Sequence, residues 1–202
     1  DSAYAFWMER QGDPDQQRYW RERCFSGENY RMSELVGALA FEQLKKRDRI
    51  LARCRDIKAR MRVACAEAFG LEALETNHDP QGDCGIGLNL FCDTPAAAQQ
   101  LSEWLRAEGV TCGTRFSKDV PDRHIFYHWD YIIEKRTPHR NGFPWHSQER
   151  PCLVEYRRDQ CPQSLAWLER AVLFPITQTM TDAYVDEVCR AIRKVGRHWP
   201  PR

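Results

Sequence analysis

The feature that most constrains this chain is an apolar series at helical spacing. Leu35, Leu39 and Leu44, then Ile50, Cys54, Ile57, Met61, Cys65 and Ala68, recur across residues 34–69 with the period of one long helix. Ser33 is a good N-cap, Glu34 suits a first helical turn, and Gly70 ends the run. At 1.5 Å per residue such a helix spans on the order of 50 Å, longer than a compact domain of this size needs. It therefore reads as a connector between two domains, with a bend or solvated turn at the charged run Lys45-Lys46-Arg47-Asp48-Arg49.

Beyond Gly70 the chain changes character. Asp79-Pro80-Gln81-Gly82-Asp83 is a turn, and Ile86, Leu88 and Leu90 alternate with Gly87, Asn89 and Phe91 as a strand should. Thr94-Pro95 opens a helix that stops at Gly109, and residues 110–115 read as a second strand. Residues 116–150 are rich in aromatics, His and Pro and show no period. A helix over 161–172, a short strand over 173–176 and a last helix from Thr181-Asp182 to Val195 complete the order. Strands alternating with helices predict an α/β fold, a small domain with helices on one face of a mostly antiparallel sheet.

Lys and Arg total 30 against 29 Asp and Glu, a net charge of +1, so nothing calls for a nucleic acid or an anionic membrane as partner. No apolar run reaches the ~18 residues of a membrane span, and the first residues lack the basic start and apolar stretch of a secretory signal. The nine cysteines include no C-x-x-C or C-x-C pair; they read as reduced, mostly buried small hydrophobes of a cytoplasmic protein rather than a metal site or disulfide framework. The mean hydropathy of -0.69 fits either a piece whose apolar surface is completed by other segments or a densely charged surface.

Chemistry is suggested first at the loop-to-helix junction. Asn29 and Arg31 stand just before the Ser33 cap, where exposed backbone N–H groups favour a phosphate or carboxylate. The alternative is that Ser33 only caps the helix and Arg31 is a solvated charge. In the irregular middle, His124 and His128 have the i, i+4 spacing of a zinc helix, but Ile125 stands where a metalloprotease helix would carry Glu. Aromatics with arginines could also clamp single-stranded nucleic acid, a reading that the absence of a basic surplus disfavours.

The stretch N-Y-R-M-S-E-L-V-G-A-L-A-F-E-Q-L over residues 29–44 resembles the DegT/StrS family of sugar aminotransferases, whose members typically carry N-Y-R-M-S-E-L-x-A-A-L-G-L-A-Q-L. A second likeness lies near the C-terminus, at Cys161-Pro162, Leu165, Leu168, Arg170-Ala171-Val172, Pro175-Ile176, Met180-Thr181-Asp182 and Ala191-Ile192-Arg193-Lys194-Val195. The resemblance implies the C-terminal portion of a fold-type I enzyme that uses pyridoxal 5'-phosphate. Residues 1–33 would be the end of a large domain with an interface loop, 34–70 the long linking helix, and 71–202 a small C-terminal α/β domain.

It also implies an absence, since the family's internal-aldimine lysine, the acidic partner of the pyridine nitrogen and the phosphate loop precede the N-Y-R-M stretch. No catalytic residue is expected in this chain; the lysine is expected upstream or in a partner chain, within a homodimer or hetero-oligomer. By the same likeness Asn29 would bind the cofactor phosphate of a neighbouring subunit, and Arg31, Arg115 and His124 would meet the substrate. The guanidinium of Arg115 suits a carboxylate or phosphate and His124 a sugar hydroxyl, although His124 could equally serve a backbone carbonyl, with Trp129 and Trp145 in a core. The implied reaction moves an amino group from glutamate or glutamine to a keto-sugar. Open beside it stand a lysine-free partner subunit or scaffold and a binding module indifferent to the cofactor.

Overall fold

In the computed structural model, residues 32–70, 74, 79, 81–146 and 152–199 are described. The long helical pattern forms two helices, α1 (Glu34–Leu44) and α2 (Arg47–Phe69). Ser33 caps α1 by accepting from the Val36 N–H at 3.3 Å. The break falls at Lys45 and Lys46, inside the charged run that predicted a bend, where the Lys45 N–H turns back to Phe41 and the Lys46 N–H to Gln43. Gly70 ends α2 with φ +89° while its N–H bonds the Ala66 carbonyl at 2.9 Å.

Then follow β1 (Gly87–Phe91), α3 (Pro95–Ala107), β2 (Gly113–Thr114), a 3₁₀ turn (Phe126–His128), α4 (Asp130–Ile133), α5 (Pro162–Glu169), β3 (Ala171–Pro175) and α6 (Asp182–Gly196). Thr94 caps α3 and Thr181 caps α6. Two boundaries differ from the sequence pattern. The strand expected over 110–115 shrinks to two residues, because the Val110 N–H is spent on the Leu105 carbonyl closing α3. Ala171 and Val172, expected to end a helix, open β3 instead: the helix stops at Glu169, and Val172 lies opposite Leu90.

The strands make an antiparallel sheet in the order β1-β3-β2, with Leu88 facing Phe174, Leu90 facing Val172, and Gly113 facing Leu173. The fold is α/β. Leu88, Leu90, Val172 and Phe174 point to one side, into a continuous core with Ile57 and Met61 of α2, Leu101 and Leu105 of α3, and Val185 and Ile192 of α6. The other strand residues, Gly87, Asn89, Phe91, Leu173 and Pro175, keep partial exposure.

Helices α2 and α6 run side by side in the same direction, since their ion pairs advance together: Arg53 with Asp182, Arg60 with Asp186, Glu67 with Arg193. They approach closely at Gly196, where a Cβ would lie 2.5 Å from that of Ala68. Of the cysteines, Cys54, Cys65, Cys92 and Cys189 are buried, and burial pushes the Cys65 thiol up to about 12. Cys84 and Cys161 are exposed, contrary to the expectation of general burial.

Two compact units result. One takes Met32–Arg115 and the chain from Ala166 onward, and holds the sheet and its core; the other is built on Phe116–Leu165. Within the second, side-chain bonds to backbone do much of the holding. The indole N–H of Trp129 donates to the Arg123 carbonyl at 2.7 Å, that of Trp145 to Arg136 at 2.9 Å, and Arg158 donates to the Tyr127 carbonyl and the Asp130 carboxylate, each at 2.5 Å. Among the described residues no helix is long and apolar enough to cross a membrane.

Candidate functional site

Strand alternation decides what the uncovered side of the sheet presents. Because β3 buries Val172 and Phe174, Leu173 projects the other way, and its register partners Asn89 on β1 and Gly113 on β2 share that side. Arg115, two residues beyond Gly113, returns to the same side; its N–H bonds the Ala171 carbonyl at 2.9 Å. A Cβ at Gly113 would meet nothing within 4 Å, so the space beside Arg115 is open.

The rim opposite is the turn over residues 79–85, and it is tied down. Asp79 accepts from the Gln81 N–H at 3.0 Å and Asp83 from the Gly85 N–H at 2.8 Å. Arg55 of α2 grips the carbonyls of Asp83, at 2.6 Å, and Gln81. Gly85 has φ +73° and lies so near α2 that a Cβ would stand 2.7 Å from the Arg55 nitrogen, so glycine alone fits. Lys58, one turn further along α2, pairs with Asp83 at 2.6 Å with only 12% of its side chain exposed.

Sheet and turn enclose an open cleft of 660 Å³ lined by Lys58, Asp83, Asn89, Arg115, Leu173 and neighbouring residues. The Arg115 side chain is exposed and makes no ion pair or hydrogen bond among the described residues. A free guanidinium over a polar floor can take a carboxylate or phosphate through two parallel N–H donors. At the far end of the face, Phe91 and Trp167 meet edge to face at 5.1 Å, with the Arg170 guanidinium 4.6 Å from the Trp167 ring.

His124 belongs to the other unit. Its imidazole is 81% exposed, and both its Nδ1 and its backbone N–H engage Asp122, at 2.8 and 2.9 Å. Its neighbour at i+4, His128, is buried instead: Nε2 lies 2.9 Å from the Ser117 carbonyl and the ring meets Phe116 and Tyr127. Burial pulls the His128 imidazole below the usual histidine range. Arg115 and His124 thus fall in separate units, while Asn29 and Arg31 lie outside the described residues.

Lys58 and Asp83 escaped sequence reasoning. On its own Lys58 is a polar position of a charged helix and Asp83 the end of a turn, and no local signal joins residues 25 apart. Asn89 was legible as the outward member of an alternating strand.

Residues 2–143 match the family model of the DegT/DnrJ/EryC1/StrS aminotransferase family. The chain belongs to that family. Its enzymes are generally pyridoxal-phosphate-dependent, but the cleft does not fit that group. No aromatic ring lines it to stack on a pyridine, and its lysine is held as an ammonium by Asp83 rather than freed as an amine. The chain's other lysines are all described and no better placed. Lys45 and Lys194 are exposed partners of Glu42 and Glu108, Lys46 and Lys118 are exposed, and Lys135 donates to the Cys152 carbonyl at 3.3 Å.

Proposed function

We propose that this chain is the C-terminal part of a pyridoxal-phosphate-dependent aminotransferase that moves an amino group from glutamate or glutamine to a keto-sugar, for amino-sugar biosynthesis. The carrying observation is its membership of the aminotransferase family; the free Arg115 over a polar cleft adds a place for an anionic substrate group. In this reading residues 1–33 close a large domain, 34–70 link it to the small one, and 71–202 form the small domain. When bound, pyridoxal phosphate supplies the electron sink of the transfer.

What this chain contributes is binding. Arg115 fixes a carboxylate or phosphate of the substrate, Asn29 donates to the cofactor phosphate across a subunit interface, and Arg31 and His124 meet the substrate. The disposition of all the chain's lysines supports a cofactor lysine supplied by another polypeptide segment. The same observation favours a second reading, a lysine-free partner subunit that completes another chain's site.

Reduction with borohydride in the presence of the cofactor tests both. The purified 202-residue chain should retain no covalently bound pyridoxal phosphate and should not aminate a keto-sugar. Stoichiometric labelling of one of its lysines together with turnover would overturn the reading. The two versions separate once the lysine-bearing polypeptide is identified: a covalent continuation of this chain supports the first, a separate gene product the second.

A further inference from the structure

Helix α1 is apolar on nearly every side and buries none of its residues. Met32 before it and Leu35, Val36, Leu39, Phe41 and Leu44 on it are each more than half exposed, Leu35 at 81%. At 100° per residue Leu35, Leu39, Met32 and Val36 form one stripe, Leu44 stands to its side and Phe41 nearly opposite, so more than half the circumference is apolar. Six large side chains over three turns exceed the few hundred Å² at which an exposed patch marks an interaction site. Directly after Leu44 the chain turns strongly polar, through Lys45-Lys46-Arg47-Asp48-Arg49. That step locates the edge of a buried zone.

The shape of the surface selects its occupant. Eleven residues make a helix about 16 Å long. A side-by-side pair with the same helix of a second copy would bury one stripe, well short of the ~800 Å² per partner of a stable interface, and would leave Phe41 or Leu44 in water. A helix apolar on all sides is covered on all sides. We infer that α1 inserts into an apolar slot, one helix wide, in a folded segment outside these 202 residues, the segment that carries the cofactor lysine. The inference rests on the proposed function for the identity of that segment. The charged bend at Lys45 and Lys46 is then the exit from the slot, and α2 carries the sheet unit outward.

The test is photo-crosslinking in the intact protein, complete with every chain or extension it has in its source. The photo-reactive p-benzoylphenylalanine replaces Leu35 in one preparation and, as a milder change, Phe41 in a second, with Val63, exposed on α2, as control. After irradiation, crosslinked peptides are identified by mass spectrometry. The expected result is that positions 35 and 41 both crosslink to the lysine-bearing segment, with at least tenfold higher yield than position 63. Crosslinks to α1 of a second copy, crosslinks within the 202 residues, or yields no higher than at position 63 would each overturn it. Cofactor content measured on the same samples keeps the two readings apart. Protein that holds pyridoxal phosphate but gives no such crosslink retires the slot alone; crosslinks to an outside segment in protein that binds no cofactor retire the proposed function.

Discussion

The sheet unit and the Phe116–Leu165 unit are ordered by different forces. In the first, one face of a three-stranded sheet and three helices share a continuous apolar core in which Ile57, Leu88, Leu101, Phe174 and Ile192 are fully buried. In the second the buried apolar residues are few, chiefly Phe116, Ile125 and Leu165, and two of the buried groups, His128 and Asp130, are polar. Burial is non-directional and cooperative, whereas a hydrogen bond from Trp129 or Arg158 to one carbonyl holds one loop in one place. The lesson is a division of labour: the apolar unit supplies a rigid floor for the cleft, and the polar unit has many small contacts that change one at a time.

The largest test of that contrast is Phe174→Ala. It removes the largest fully buried side chain from the middle strand and should cost about 3 to 5 kcal/mol in denaturant unfolding. Hydrogen exchange should accelerate through β1, β3, α2 and α6 together. Loss confined to β3 would show that the core is not cooperative.

Asp130→Asn should act more locally. It takes the carboxylate from a pair in which Asp130 is 8% and Arg158 41% exposed, so solvent shares the cost, and about 1 to 2 kcal/mol is expected. Exchange should rise within 116–165 and stay unchanged in α2. An equal rise in both would break the distinction between the units.

The third test is pH. Burial, with the Arg158 charge, lowers the His128 pKa, against the opposing pull of the Ser117 carbonyl. The unfolded chain then binds the proton more readily than the folded one, so stability is full above the ordinary value of 6.5 and declines as pH falls below it toward the lowered folded value. Tryptophan fluorescence should report a loosening near Trp129 over that window, and His128→Gln should flatten it. A profile that survives the substitution would assign it to other groups.

The smallest stability effect belongs to Arg115→Ala. As an exposed, unpaired side chain it should change unfolding by no more than about 0.5 kcal/mol. Phosphate or glutamate binding, followed by titration calorimetry of the assembled enzyme, should nevertheless weaken about tenfold. Unaltered binding would remove Arg115 from the site and leave the fold untouched.

Much of the sheet unit was legible because its signals are local. The Ser33, Thr94 and Thr181 caps, the stop at Gly70 and the alternation that turns Asn89 away from Leu88 and Leu90 each depend on a few adjacent residues. The start of β3 was not. Ala171 and Val172 can extend a helix or enter a strand, and pairing with Phe91 and Leu90, some 80 residues earlier, decided it. The irregular 116–150 stretch was legible only as lacking a period, since bonds from indoles and guanidiniums to distant carbonyls leave no repeat.

The family likeness and the anion-binding character of Arg115 were present in the residues themselves, because chemistry travels with the side chain. Its placement required the tertiary structure. The antiparallel register of β2 on β3 set Arg115 on the open face, and the close passage of the 79–85 turn over α2 brought Lys58 to Asp83 and closed the cleft. Which face a side chain takes follows from alternation within its own strand; what it meets there follows from chain segments that only the packed core brings together.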